Sequence, residues 1–178
     1  KVKYKEQPLK ESSANSALLK KELNNFFSKP MYILNASLGV VFIFVFAVAL
    51  VVYRDLPDMI IKEFPELAEY VNTLLIRGIC FLSATNIISA PSISLEGKSI
   101  WIVQSLPIDG GDVLLAKAKM HMVICLPSVL LASLACIFTL KLSAIQILLS
   151  HLLPAVFTVF CALLGVFINL HVPKFDWI

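Results

Sequence analysis

Charged residues are scarce in this sequence. They make up 15% of its 178 residues, whereas apolar residues make up 58% and the mean hydropathy is +0.85. Ordinary soluble domains contain about 25% charged and about 45–50% apolar residues. A soluble domain of this size could not cover so much apolar surface, so the composition excludes that class.

Familiar catalytic motifs are missing as well. The sequence contains no Gly-x-x-x-x-Gly-Lys-Ser/Thr loop, no Gly-x-Ser-x-Gly elbow and no His-Glu-x-x-His. The spacing of the histidines predicts no shared metal site, and the cysteines lie inside apolar blocks, where they are expected to pack as small hydrophobic residues. We therefore expect a chain that is not an enzyme and that binds no metal or cofactor of its own. The residues concerned are His121, His151, His171, Cys80, Cys125, Cys136 and Cys161.

The apolar residues are gathered into blocks of about 20 residues, the length that a helix needs to cross a hydrocarbon core about 30 Å thick. The sequence therefore predicts an all-α, polytopic membrane protein with a transmembrane domain over residues 30–178. Four spans are expected, at about 31–53, 72–91, 118–140 and 144–171. The chain starts without a methionine and stops soon after the fourth block, from which we expect a fragment of a longer polypeptide.

The amino-terminal region is polar and basic and shows no signal-peptide pattern. We expect residues 1–16 to form a flexible cytoplasmic tail and residues 17–29 to form an amphipathic helix on the membrane surface. The apolar face of that helix would carry Leu19, Leu23, Phe26 and Phe27. The alternative is a plain extension of the first span, which the break expected at Pro30 disfavours.

The second predicted span is the least hydrophobic and carries Arg77 and Asn86 among small polar residues. Such a helix prefers protein neighbours to lipid. Arg77 can extend its charge to the membrane interface, or take part in an ion pair or a substrate path. Asn86 is better explained by a hydrogen bond between helices than by a transport role. Pro127 and Pro154 fall inside the third and fourth spans, where neighbouring helices can bond the carbonyls that proline frees.

The distribution of basic residues predicts the orientation. If the amino terminus is cytoplasmic, eleven basic residues face the cytoplasm and four face outward, which agrees with the positive-inside rule. We therefore expect a multi-pass protein of the cell membrane in which both ends of this segment are cytoplasmic. The inside set is Lys1, Lys3, Lys5, Lys10, Lys20, Lys21, Lys29, Lys98, Lys117, Lys119 and Lys174; the outside set is Arg54, Lys62, Arg77 and Lys141.

The connection at 92–116 is the most informative stretch. Ser94 can cap a short helix that Pro107 ends, and Asp109 can cap the start of the third span. The apolar side of the short helix would carry Leu95, Trp101, Ile102 and Leu106, while Glu96, Lys98 and Gln104 could face a polar partner. The alternative is an ordinary interfacial loop anchored by its tryptophan.

These residues carry a resemblance to a known family. Ser-Leu-Glu-Gly-Lys-Ser-Ile-Trp at 94–101, Gln-Ser-Leu-Pro-Ile at 104–108 and Leu-Ala-Lys at 115–117 resemble the pattern of bacterial ABC-type exporter permeases of the type-2 class. The surface helix and the closing Pro-Lys-Phe-Asp-Trp at 173–177 are also similar to that family. The resemblance covers most of the chain from about residue 17 onward. Permeases of the family have six or more spans, whereas four are expected here.

The resemblance implies the membrane subunit of an ATP-driven exporter, paired with a separate ATP-binding cassette subunit that holds ATP and Mg²⁺. A second permease half or a homodimer partner is also implied, and nucleic acid is not expected. The coupling residues implied are Glu96, Gly97, Lys98, Trp101, Leu106 and Pro107. The alternative is a four-helix membrane scaffold or assembly protein that transports nothing.

Overall fold

The computed structural model describes residues 13–68 and 70–175, and within these ranges the chain is helical and has no strand. The fold class predicted from the sequence, an all-α membrane protein, is confirmed. The helices are α1 (Ala14–Phe27), α2 (Pro30–Ala36), α3 (Leu38–Val52), α4 (Leu56–Glu63), α5 (Val71–Ala84), α6 (Ile100–Ser105), α7 (Gly110–Thr139) and α8 (Ala144–His171). Two 3-10 helices, Pro65–Leu67 and Ser94–Ser99, lie in the connections.

Among the described residues, α7 and α8 are the two continuous helices long and apolar enough to cross a membrane, with 30 and 28 residues. The Ser133 hydroxyl near the end of α7 donates to the Ser150 carbonyl near the start of α8, while Ala118 near the start of α7 packs with Ala162 of α8. The two helices are therefore antiparallel. α7 begins at Gly110 and not near residue 118, so its first two turns belong to the predicted connection. The side chain of Asp109 accepts a hydrogen bond from the Gly111 amide at 2.6 Å, which confirms the predicted cap.

The first predicted span is broken. α2 and α3 meet at Ser37 with a bend of 55°, so the expectation of one continuous helix over 31–53 is wrong. Taken together, the two helices would make a third span. Near the break, the Ala36 carbonyl accepts a hydrogen bond from the Ile87 amide, and the Val40 amide donates to the Asn86 side chain. These bonds compensate for the interrupted backbone hydrogen bonds of the helix.

The second predicted span is shorter than expected. α5 ends at Ala84, and its 14 residues extend only about 21 Å, less than the hydrocarbon thickness. The rest of the predicted span and the two residues that follow it, 85–93, form turns that we call the irregular segment. The small and hydroxyl-bearing side chains here fitted the prediction of one polar helix, but the hydroxyls of Thr85 and Ser92 instead each donate to the carbonyl three residues earlier. The prediction of a helix over 72–91 is therefore wrong over its last seven residues, 85–91.

α1 begins at Ala14, inside the stretch expected to be a flexible tail, while residues 1–12 lie outside the described part of the chain. Ser28 and Lys29 separate it from α2, as the proline predicted. Its buried residues are Leu18, Glu22 and Phe26, and it packs against α7. Phe27 is exposed, but Leu19 and Leu23 pack in the same cluster as Phe26, so three of the four predicted apolar positions face inward, and the inward face also contains a carboxylate.

α4 and the short 3-10 helix that follows it form the connection between α3 and α5. Lys141 contacts α4 through an ion pair with Asp58, and both side chains are exposed. The main apolar core joins α3, α5 and α7 through buried residues. These are Ile43, Ala47, Leu50, Ile79, Val129, Ala132, Ala135, Cys136 and Leu140.

Candidate functional site

The irregular segment is bonded on one side to the break in the first span. The Ile87 amide donates to the Ala36 carbonyl at 3.0 Å, and the Val40 amide donates to Oδ1 of Asn86 at 2.9 Å. The Tyr32 hydroxyl also donates to the Ile88 carbonyl. Backbone groups buried without partners are costly in a membrane. Two interrupted stretches therefore satisfy each other. Asn86 does bond a neighbouring helix, α3, but from the irregular segment and not from within a helix as predicted.

On the other side, the irregular segment is bonded to α7 and α8. Nδ1 of His121, a fully buried side chain, lies 3.3 Å from the Ser89 amide nitrogen and 3.1 Å from the Ser89 hydroxyl. Oδ1 of Asn169 accepts from the amides of Ile93 at 2.7 Å and Ser94 at 3.0 Å. Each side chain thus replaces a backbone acceptor that a continuous helix would have supplied.

Two glycines allow the irregular segment to approach this closely. A Cβ on Gly39 of α3 would lie 2.3 Å from Oγ1 of Thr85 and 2.7 Å from the Leu82 carbonyl oxygen. A Cβ on Gly165 of α8 would lie 2.3 Å from Oγ of Ser89. The segment therefore occupies space next to α3 and α8 that is free only because these two residues have no side chain.

Next to the irregular segment lies a group of four charges that we call the lysine–glutamate network: Glu22, Glu96 and Lys117, which are buried, and Lys21, whose side chain is 40% exposed. Nζ of Lys117 donates to Oε2 of Glu22 at 3.0 Å, to Oε1 of Glu96 at 2.8 Å and to the Ser92 carbonyl at 3.0 Å. Nζ of Lys21 donates to Oε1 of Glu96 at 2.5 Å and to Oε1 of Glu22 at 3.1 Å. The network has no net charge and joins α1, α7 and the Ser94–Ser99 3-10 helix.

The charges of the network perturb the pKa values of two members. Burial raises the pKa of Glu96, but the charges and hydrogen bonds of Lys117 and Lys21 outweigh it, so the pKa lies below its usual value. Burial lowers the pKa of Lys21, but its hydrogen bond to Glu96 and the charges of Glu22 and Glu96 outweigh it, so the pKa lies above its usual value. Both groups are therefore charged at neutral pH and act as ion-pair partners.

The network fixes one end of an exposed segment, residues 94–105, that connects to α7. Gly97 is buried and has φ of 52° and ψ of −133°, a conformation that side chains disfavour, and it allows the 3-10 helix to turn into α6. Beyond Gly97 the chain is exposed: Trp101 is 64% exposed, and Lys98, Ile102 and Leu106 are exposed as well. The segment thus has an anchored end and an exposed end.

The sequence-predicted coupling residues fall on both parts of this segment. Lys98, Trp101, Leu106 and Pro107 lie at the surface. Glu96 was expected to face a partner, but it is buried in the network, because two lysines from other helices compensate its charge.

One further prediction for this region needs correction. Ser94 was expected to cap the short helix, but its hydroxyl accepts from Nδ2 of Asn169 at 2.6 Å and from the Lys174 amide at 2.9 Å. It therefore ties the segment to the end of α8. Arg77 lies apart, exposed on α5, and within the described ranges it forms no ion pair.

Sequence reasoning did not identify Glu22, Lys117 or Asn169 as members of the site. A signal for Glu22 was present, since it lies four residues from both Leu18 and Phe26 and so falls on the face that packs inward. Lys117 lies with Lys119 at the start of an apolar block, a position that is unfavourable for a charge without a buried partner. His121 is fully buried among the helices.

Within the described ranges, no group of three or more histidine, cysteine or acidic side chains is arranged to hold a metal ion. The four-charge network is internally paired. The arrangement is therefore suited to holding an exposed segment rigidly against the helices that cross the membrane.

Comparisons with known proteins give one result that bears on identity. No curated protein and no solved structure matches the chain. Residues 1–174 match the profile of a family described as "Membrane protein of 12 TMs". The described residues contain two membrane-spanning candidates, or three with the broken pair, fewer than the number in that description. Because the match extends over nearly the whole sequence, the chain belongs to this family of membrane proteins.

Proposed function

We propose that this chain is a membrane-spanning permease subunit of an ATP-driven exporter, and that residues 94–105 couple it to a separate ATP-binding cassette subunit. The single observation that carries the proposal is the combination of an anchored and an exposed end in this segment. The lysine–glutamate network holds one end against α1 and α7, and the other end exposes Trp101 to 64%. The motif resemblance over 94–108 supports the same assignment.

The two ends of the segment take different roles in this proposal. Lys98, Trp101, Leu106 and Pro107 contact the ATP-binding subunit, because their side chains are exposed. Glu96 and Gly97 are positioning residues that shape and anchor the segment. A push on α6 then reaches α7 and α1 through buried ion pairs. Such pairs transmit displacement because separating them leaves uncompensated charge.

The remaining parts of the proposal rest on the motif resemblance. ATP and Mg²⁺ are bound by the partner subunit, and this chain hydrolyses nothing. A second permease half or a second copy completes the translocation path. The amino terminus, α6 and the end of α8 face the cytoplasm, in agreement with the excess of lysine on that side.

Copurification of the protein with its nucleotide-binding partner tests the proposal. We expect an ATP-binding subunit to coelute in mild detergent, and we expect Trp101→Ala to reduce its association or its ATPase stimulation at least tenfold. Truncating a buried aromatic anchor of an interface commonly costs 2 kcal/mol or more, on the order of thirtyfold in affinity. Tyr53→Ala is the matched control, because Tyr53 is an aromatic residue that is 65% exposed and follows the carboxyl-terminal end of α3, outside the 94–105 segment.

Glu96→Ala would be a poor test, since it also breaks the network and destabilises the protein. A four-helix scaffold without transport activity is the competing function. It predicts that no nucleotide-binding protein coelutes and that Trp101→Ala behaves like Tyr53→Ala. Either of these results would overturn the exporter proposal.

A further inference from the structure

An open groove of about 530 Å³ lies between α1 and the Ser94–Ser99 3-10 helix. Ligand pockets in proteins commonly measure about 300–1,000 Å³, so the groove has room for a small polar group. Six of the seven residues that line it are polar or charged: Lys21, Asn25, Lys29, Leu95, Glu96, Lys98 and Ser99. The coupling proposal uses Lys98 and Glu96 from this lining, but it assigns no ligand to the groove itself.

The charges that line the groove are unbalanced. Lys21 and Glu96 belong to the lysine–glutamate network, which is neutral as a whole. Lys29 donates to the Leu95 carbonyl at 3.2 Å, and neither Lys29 nor Lys98 pairs with a carboxylate within the described ranges. The groove therefore carries two ammonium charges beyond the neutral network, beside neutral donors from Asn25 and Ser99.

The position of the groove favours a lipid as the source of a balancing anion. Lys29 directly precedes α2, where the first apolar block begins, so its ammonium group lies at the level of the lipid headgroups. Apolar side chains close to it along the chain are exposed, with Phe27 at 62%, Met31 at 68% and Leu34 at 67%. A molecule with an anionic head and apolar tails could therefore contact both the groove and the surface of α2.

We propose that this groove binds a phosphate-bearing anion, and that its occupant is the headgroup of an anionic lipid. The phosphate accepts hydrogen bonds from Lys29 and Lys98, and the neutral side chains Asn25 and Ser99 bond the polar part of the headgroup. By bridging α1 to the 94–105 segment, the lipid adds a second tie beside the lysine–glutamate network. The inference does not depend on the coupling function.

The test is native mass spectrometry of the delipidated protein in detergent, titrated with phosphatidylglycerol and, as the zwitterionic control, phosphatidylcholine. We expect phosphatidylglycerol to bind preferentially and the double variant Lys29→Gln/Lys98→Gln to weaken its binding about thirtyfold, since each basic residue contributes about one kcal/mol toward anionic lipid. The matched control is Lys20→Gln/Lys62→Gln, which removes the same charge from exposed positions outside the groove. We expect that variant to bind like the wild type.

Competition with inorganic phosphate identifies the source of the anion. If phosphatidylglycerol binding depends on the groove lysines and phosphate does not displace the lipid, the headgroup assignment stands. Displacement by phosphate at millimolar concentration would show a phosphate site that a soluble anion fills, and would overturn the lipid assignment. Equal binding of phosphatidylglycerol to the double variant and to its control would overturn the proposal altogether. This is also the result expected if the two lysines bind an acidic protein partner instead of a lipid.

The double variant removes the bond from Lys29 to Leu95, so folding needs a separate check. Lys98→Gln alone removes an exposed side chain that makes no hydrogen bond within the described ranges. It should keep the wild-type melting temperature and lose about fivefold in lipid affinity, and an unchanged affinity would also contradict the proposal. Lipid binding is read without the ATP-binding subunit, so failure here is distinguishable from failure of the proposed function.

Discussion

The α7–α8 hairpin and the irregular segment solve the same problem in different ways. Both must satisfy backbone hydrogen bonds inside a membrane protein. The hairpin does so within each helix, over 30 and 28 residues. The irregular segment instead uses the side chains of His121 and Asn169 and the carbonyl of Ala36, which come from distant parts of the chain. The first solution depends on local sequence, and the second depends on the completed fold.

This difference predicts where substitutions are costly. A long helix loses little when one side-chain bond is removed, because its backbone ladder remains. The backbone of the irregular segment is bonded by single side chains, so a substitution there removes a partner that nothing replaces. The same holds for a substitution that removes one buried charge of the lysine–glutamate network. The following predictions are ordered from the largest expected effect to the smallest.

The largest effect is expected at the lysine–glutamate network. Lys117→Met removes the cation shared by Glu22 and Glu96, whose side chains are 1% and 8% exposed. Breaking a buried ion pair from one side costs about 3–5 kcal/mol, because the other charge is left uncompensated. We expect a lower melting temperature in detergent, by about 2–4 °C for each kcal/mol in a chain of this size.

Lys119→Met is the control for this substitution. Lys119 lies two residues further along α7, is partly exposed and forms no ion pair within the described ranges. A substitution at such a position changes stability by about 0.5 kcal/mol. If the two variants melt at the same temperature, the network does not anchor the 94–105 segment, and the observation that carries the coupling proposal is lost.

The sequence predicted the hairpin and missed the network for the same physical reason. Apolar length, a capping residue and a proline are local properties of the sequence. They predicted two membrane-spanning helices, a cap at Asp109 and a carbonyl freed by Pro154 that a neighbouring helix bonds, which is the carbonyl of Ser150. The pairing of Glu22 with Lys117 joins residues far apart in the sequence. A single sequence contains no signal for such a contact beyond the unfavourable position of each charge on an apolar face.

The candidate site was predicted in part. Lys98 and Trp101 are exposed, which agrees with a contact surface. A tryptophan within a polar connection can be recognised from the sequence alone. The burial of Glu96 could not be predicted, since it depends on lysines from two other helices. The early end of α5 was also missed, because the bonds that replace its last turns come from α3, α7 and α8.

A smaller effect is expected where the irregular segment meets α3. Gly39→Ala places a Cβ 2.3 Å from Oγ1 of Thr85 and 2.7 Å from the Leu82 carbonyl oxygen. Such overpacking costs about 1–3 kcal/mol, and any relaxation also weakens the bond between Asn86 and Val40. We expect the melting temperature to fall.

Gly78→Ala provides a control of opposite sign. A Cβ on Gly78 of α5 would meet only Cζ of Phe46, at 3.9 Å. Alanine is favoured over glycine inside a helix by about 1 kcal/mol, so this variant should melt slightly higher than the wild type. Equal shifts at both glycines would mean that the irregular segment does not pack against α3 as described.

The smallest effect is expected inside the hairpin. The hydroxyl of Ser133 donates to the Ser150 carbonyl at 2.7 Å, and this carbonyl lacks its helical donor because Pro154 has no amide hydrogen. Ser133→Ala should nevertheless cost only about 0.6 kcal/mol, the average for hydrogen bonds between membrane helices, since all other backbone bonds of the two helices remain. Ser128→Ala, which removes a bond to Cys125 within α7, should be close to neutral. A loss at Ser133 as large as that at Lys117 would mean that the hairpin also depends on single side chains, and the contrast between the two regions would not hold.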